Sequence, residues 1–185
     1  MKERTNEKQI HQWIQATIDT VGMDIELKQM HNGINMSYNF IFNNVGYDVK
    51  RVGEALTETK TPISPEAYIK ALTIHELGHA VDRKALMNSL ERTIEIFEMK
   101  KSYSLKEQYS DLKLLGMLLE EHLMNIDFEE TAWANAENMN KKFSIVDWQS
   151  FDQVKAQGLA TYHHLYQRDL TLYNKLLAGQ SEQIA

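Results

Sequence analysis

The chain predicts an α+β domain with a small, mainly antiparallel sheet and a helical C-terminal half. Apolar residues recur at three- and four-residue spacing near the start, alternate with polar ones between about residues 25 and 52, and then return to helical spacing. Both prolines, Pro62 and Pro65, mark the return. With 185 residues the chain is long enough for one hydrophobic core, so residues 1–185 are expected as a single domain.

Ile10, Ile14, Ile18 and Val21 predict a first helix over 6–21, with Asn6 and Gln9 suited to its start. Ile25 and Leu27 then alternate with Asp24, Glu26 and Lys28. After Asn32-Gly33, Met36, Tyr38, Phe40 and Phe42 alternate with Asn35, Ser37 and Asn39, which predicts a hairpin turned at Asn32-Gly33. A second turn at Asn43-Asn44-Val45-Gly46 would send Tyr47 to Val52 back as a third strand.

Ser64 can cap, and Pro65 can open, a helix running to about Leu86. Further helices are expected over 89–101, 104–124, 127–141 and 148–177, with start pairs Ser104/Glu107 and Asp127/Glu130 and a break near Gly158. In the charge-rich stretch Glu91 to Lys101, Ile94 and Phe97 are expected to face inward. The nine methionines and the run Leu112 to Leu119 read as core filling.

Composition narrows the function classes. The longest apolar stretch, Leu114 to Leu119, is far shorter than the roughly 20 residues that cross a bilayer, and no apolar run follows Met1-Lys2-Glu3-Arg4. A cytoplasmic protein without membrane association is expected. The net charge of −6 disfavours nucleic acid and anionic lipid as partners, because both require a basic surface. The absence of cysteine excludes disulfides and thiolate ligands, so a zinc site here must use nitrogen and oxygen donors.

Thr73-Ile74-His75-Glu76-Leu77-Gly78-His79-Ala80-Val81-Asp82 contains His-Glu-x-x-His inside the helix expected from Pro65. On a helix His75 and His79 share one face a turn apart, so both imidazoles can meet one zinc ion at about 2.0–2.1 Å. Glu76 stands about 100° around the helix, placed to act as a base on a water at the ion. With seven histidines the bare pattern arises by chance in about 2–3% of such chains. Gly78 accepts a helix cost of about 1 kcal/mol, which points to close packing beside the site. A catalytic zinc keeps three protein ligands and one open position, so a third ligand must come from elsewhere. Asp127-Phe128-Glu129-Glu130-Thr131-Ala132-Trp133 is the best region for it.

These two segments resemble the zincin metallopeptidases, in particular the gluzincin branch. The resemblance implies a zincin-like fold, a Zn2+ cofactor and hydrolysis of peptide or protein substrates. It also implies a helical Glu as third ligand, with a small residue three positions later. Glu129 is followed at that distance by Ala132 and Glu130 by Trp133, so Glu129 is the expected third ligand. Glu130 stays the alternative, with a competing role in a capping pair with Asp127. No His follows His79 until His122, which departs from the metzincin pattern. The 50-residue separation of His79 from Glu129 looks more like compact bacterial relatives such as lethal-factor-like or ImmA/IrrE-type peptidases. By the same resemblance, a strand near Tyr38 to Phe42 or Tyr47 to Val52 would be an edge for an extended substrate.

His122, Tyr109, Tyr162 and His163 are candidates to stabilise an oxyanion, though an ordinary surface or core role is the better account of each; Asp82 could orient a ligand histidine or equally be a solvated helix charge. Two other readings stand beside the peptidase: a non-catalytic zinc-binding interaction protein of the same fold, and a regulatory protease dedicated to one target, as in a mobile element.

Overall fold

The computed structural model describes residues 7–59 and 62–184. Its elements are α1 (Glu7–Val21), β1 (Glu26–Gln29), β2 (Met36–Asn39), β3 (Asn44–Tyr47), α2 (Val49–Glu58), α3 (Pro65–Val81), α4 (Arg83–Asn88), α5 (Leu90–Ser102), α6 (Leu105–Gln108), α7 (Leu112–Phe143) and α8 (Trp148–Ile184). The α+β class is as expected, with a three-stranded sheet and a predominantly helical chain. Asn6, expected at the first helix start, lies outside the described residues. Among the described residues no helix is long and apolar enough to cross a membrane.

The sheet differs from the expectation in both pairing and direction. Its order is β1-β3-β2, with β1 parallel and β2 antiparallel to β3, so it is mixed rather than mainly antiparallel. The hairpin joins β2 to β3, and Asn32-Gly33 is not its turn. Gly33 has φ +76° and donates its N–H to Asp48 Oδ2 at 3.0 Å, so this segment bends toward the start of α2 instead of folding β1 onto β2. The β2–β3 turn comes earlier than the alternation suggests. Asn39 Oδ1 accepts from the N–H groups of Ile41 and Phe42, and Asn43 takes φ 54°, which leaves Phe42 71% exposed instead of in a strand. Nor does a strand run from Tyr47 to Val52. Asp48 caps α2 by accepting from Lys50 and Arg51 N–H, and the Gly33 and Arg51 amides hold its carboxyl below the usual range.

The chain divides into two compact units, Met1–Arg83 with Glu130–Gln157, and Lys84–Glu129 with Gly158–Ala185. In the first, Ile10, Ile14 and Ile18 of α1 are buried, as are Val45 and Tyr47 of β3, and α3 packs against α1, α2 and β2. Each such isoleucine contributes about 1.5–3 kcal/mol of burial free energy. The turn from α7 into α8 is closed by Asn140, whose amide bonds both Val146 O and Val146 N–H at 2.9 Å.

In the second unit Ile96 and Met99 of α5 pack with Leu114, Leu115 and Leu118 of α7. Ile94 and Phe97 were expected on this inner face but are 51% and 54% exposed. α5 carries apolar residues on two faces, and the one bearing Ile96 and Met99 is buried. The Leu112 to Leu119 run is core as expected, whereas Met30 and Met87 are exposed. The start pair Ser104/Glu107 forms a complete capping box. Asp127/Glu130 does not, because α7 passes through it without a break, and α8 likewise continues through Gly158.

Asp169 of α8 is the buried polar anchor of this unit, at 1% exposure. It accepts from Arg168 Nε at 2.7 Å and from Tyr109 Oη at 3.2 Å, and lies 2.9 Å from His122 Nε2. Burial pushes its pKa up, but the hydrogen bonds from Arg168 and His122 outweigh it and hold the carboxyl below the usual range. With the folded value depressed, the carboxylate stabilises the fold above its unfolded pKa of about 3.9, and that contribution is lost as pH falls through the folded value. Asp169→Asn is therefore expected to cost about 2 kcal/mol at pH 7 in chemical denaturation. The deficit should shrink as the pH is lowered below the unfolded value; a deficit as large in acid as at pH 7 would contradict this role for the charge.

Candidate metal centre

The helix carrying the histidines is specified locally at its start. Ser64 Oγ accepts the Ala67 N–H at 3.1 Å and Pro65 occupies the first turn, where its missing N–H costs nothing. Tyr68, Ile69, Ala71, Ile74 and Leu77 are buried, and Thr73 returns its hydroxyl to Ile69 O at 2.7 Å. His75 and His79 thus project one turn apart from a helix fixed on several sides. Their rings meet edge-on with centroids 4.7 Å apart; His75 is 6% exposed and His79 half-buried.

Gly78, between them, decides how α7 approaches. A Cβ at this position would collide with the Ala132 carbonyl oxygen, so the α7 backbone sits where a side chain would be. Asn135 Nδ2 donates to Gly78 O at 3.1 Å and fixes the register. Ala132 is fully buried at this contact. Glu129 lies three residues before it on α7. One donor atom from each of His75, His79 and Glu129 falls within 4.8 Å of the others. Glu130 is exposed and outside this group. The structure therefore brings together the three residues singled out from the sequence, and the close packing inferred for Gly78 is present.

Two imidazole nitrogens and a carboxylate oxygen suit a divalent transition metal such as zinc, cobalt, manganese or nickel. A tetrahedral zinc with bonds of about 2.0–2.1 Å needs donors about 3.4 Å apart, so closing on an ion asks for shifts of about 1 Å, within side-chain rotation. One carboxylate against a divalent ion would leave a net positive centre, which attracts anionic groups.

Glu76 is 7% exposed and its Oε2 accepts the backbone N–H of Tyr38 at 2.7 Å. Its other oxygen is hydrogen-bonded by no described residue. The Tyr38 amide is available because β2 is an edge strand. Met30 N–H bonds Tyr47 O on the β1 side, so Val45 and Tyr47 turn their groups toward β1, and Tyr38 opposite Val45 turns its own outward. Arg83 donates to Phe40 O and Ile41 O just beyond.

Of the remaining sequence candidates, His122 and Tyr109 are committed to Asp169, and Tyr162 and His163 lie on α8. Asp82 is the C-cap residue of α3, its N–H bonded to Ala80 O and His79 O. Three contributors escaped the sequence reading: the Tyr38 amide, Asn135, and Trp133, whose indole stacks on His75. Helical spacing from Glu129 could have flagged Trp133, which stands four residues on. The Tyr38 contact spans 38 residues and has no local signal.

Comparison with protein-family models, curated proteins and solved structures finds no match to this chain.

Gly78→Ala is expected to destabilise the protein by about 3 kcal/mol, the upper range for overpacking, since the obstacle is backbone. Thermal melts combined with zinc titration check this: the melting temperature should fall and zinc affinity with it. A variant as stable as the parent, with unchanged zinc affinity, would show that the contact does not govern the site.

Proposed function

We propose that this chain is a zinc-dependent peptidase of zincin type, similar to the gluzincins, with His75, His79 and Glu129 as metal ligands and Glu76 as general base. The observation that carries the reading is the convergence of those three donors, with a buried carboxylate on the residue next to His75. A structural metal site has no use for such a carboxylate; a hydrolytic one does.

When bound, zinc would supply Lewis acidity, polarising the scissile carbonyl and acidifying a water. The protein's own groups do the rest. The Tyr38 amide holds one Glu76 oxygen and keeps the side chain in a single orientation. The other oxygen is left to take the proton from the attacking water and return it to the leaving amine. Burial of Glu76 limits competing contacts with solvent. β2 is an edge strand, where an extended substrate would pair through main-chain groups other than the Tyr38 N–H and the Phe40 and Ile41 carbonyls, which Glu76 and Arg83 hold. Of the two strand segments considered from the sequence, only the one around Tyr38 lies at an edge; β3 is central.

Purified protein, metal-loaded or treated with chelator, should be screened against a peptide library and cell lysate. The loaded protein is expected to cleave and the chelated one not, with zinc restoring activity. Glu76→Gln should retain zinc, keep an acceptor for the Tyr38 amide, and lose at least about 1000-fold in kcat/KM. Glu129→Ala should lose activity and weaken zinc binding together. Undiminished turnover by Glu76→Gln would remove the base role, and zinc binding unaffected by Glu129→Ala would remove the third ligand.

A further inference from the structure

Trp133 is 1% exposed and lays its indole against the His75 imidazole, with ring centroids 4.3 Å apart and planes 23° apart. Phe151 meets the indole edge-on at 5.5 Å, and Trp148 meets Phe151 at 5.6 Å. With His79 edge-on to His75, five rings run in contact from α3 through α7 to the start of α8. His75 thus has an indole face along one side and the second histidine at its edge.

The Trp133 indole N–H is buried and has no hydrogen-bond partner among the described residues. Buried indoles ordinarily find an acceptor, and leaving the donor unpaired is unfavourable. The side chain is therefore held by what its ring face contacts rather than by its N–H. Turning the His75 ring about its Cβ–Cγ bond would drive it into the indole, while Phe151 hinders the indole from yielding.

We propose that Trp133 is a positioning residue for the metal centre, its indole face fixing the plane of the His75 imidazole so that a ring nitrogen stays aimed at the position shared with His79 and Glu129. This rests on the metal-site reading above. Orientation of ligand histidines commonly falls to a hydrogen bond on the ring's other nitrogen, and loss of such support weakens metal binding about 10–100-fold. A stacked face does the same work by excluding the alternative ring orientations. Because Trp133 shares α7 with Glu129, one helix delivers both the third donor and the restraint on the first.

The test compares wild type, Trp133→Phe and Trp133→Leu in two measurements: zinc affinity by chelator competition, and the His75 ring proton resonances of the metal-free protein. Trp133→Phe keeps an aromatic face without the N–H and should bind zinc within about 3-fold of wild type, whereas Trp133→Leu should bind about 10–100-fold more weakly while remaining folded. The His75 protons should be displaced by the ring current in wild type and Trp133→Phe, and lose that displacement in Trp133→Leu. Should the leucine variant not fold, Trp133→Met fills the same role with a flexible chain and carries the same expectation. Leucine or methionine variants with wild-type zinc affinity would overturn the proposal, as would a 10-fold loss in Trp133→Phe, which would assign the effect to the N–H. A wild-type protein that binds no zinc would defeat this role along with the metal reading, whereas zinc binding insensitive to residue 133 would defeat this role alone.

Discussion

A missing side chain at residue 78 is the constraint from which the candidate centre follows. Only glycine lets the Ala132 carbonyl of α7 come to rest on α3, and that contact sets Glu129 on one side and Trp133 on the other. Glycine inside a helix costs about 1 kcal/mol relative to alanine. The burial of Ala132, Trp133 and Leu77 around the contact offsets it. All three donor side chains consequently come from helices and none from a loop. A site built on rigid elements holds its geometry better than one carried by flexible connections.

Two of the buried acids, Asp169 and Glu76, are handled differently. Asp169 is bonded by the side chains of Arg168 and Tyr109 and contacts His122, which satisfies its charge and ties its unit together. Glu76 is bonded by a single backbone N–H. An acid saturated with donors is a structural anchor; an acid held by one oxygen keeps capacity for proton transfer. This contrast, rather than burial alone, separates the candidate base from the carboxylate that stabilises the fold.

What could be read from the sequence was what depends on neighbours along the chain. The spacing of His75 and His79, the cap and proline at Ser64-Pro65, and the capping box at Ser104 are local and appear as expected. Ala132 pointed to Glu129 over Glu130, and the same alanine turned out to be the residue lying against Gly78. Asp127 and Glu130 looked like a helix start, yet caps are worth only about 1 kcal/mol, and burial of Ile126, Ala132 and Trp133 along one helix overrides them. Asn32-Gly33 has turn chemistry but carries no information on which strand lies next to which, so the insertion of β3 between β1 and β2 was not legible. Ile94 and Phe97 were misplaced because α5 offers two apolar faces and only packing selects one. The Tyr38–Glu76 bond, joining an edge strand to a helix, exists only in the folded chain.

The central claim is that one divalent ion is held by His75, His79 and Glu129 at once. X-ray absorption at the zinc edge of protein loaded with one equivalent tests it most directly. The account predicts a first shell of nitrogen and oxygen at about 2.0–2.1 Å with the outer-shell signature of two imidazoles. That signature should drop to one imidazole in His75→Ala and in His79→Ala. A spectrum of hexahydrated zinc, or an imidazole count unchanged by either substitution, would contradict it.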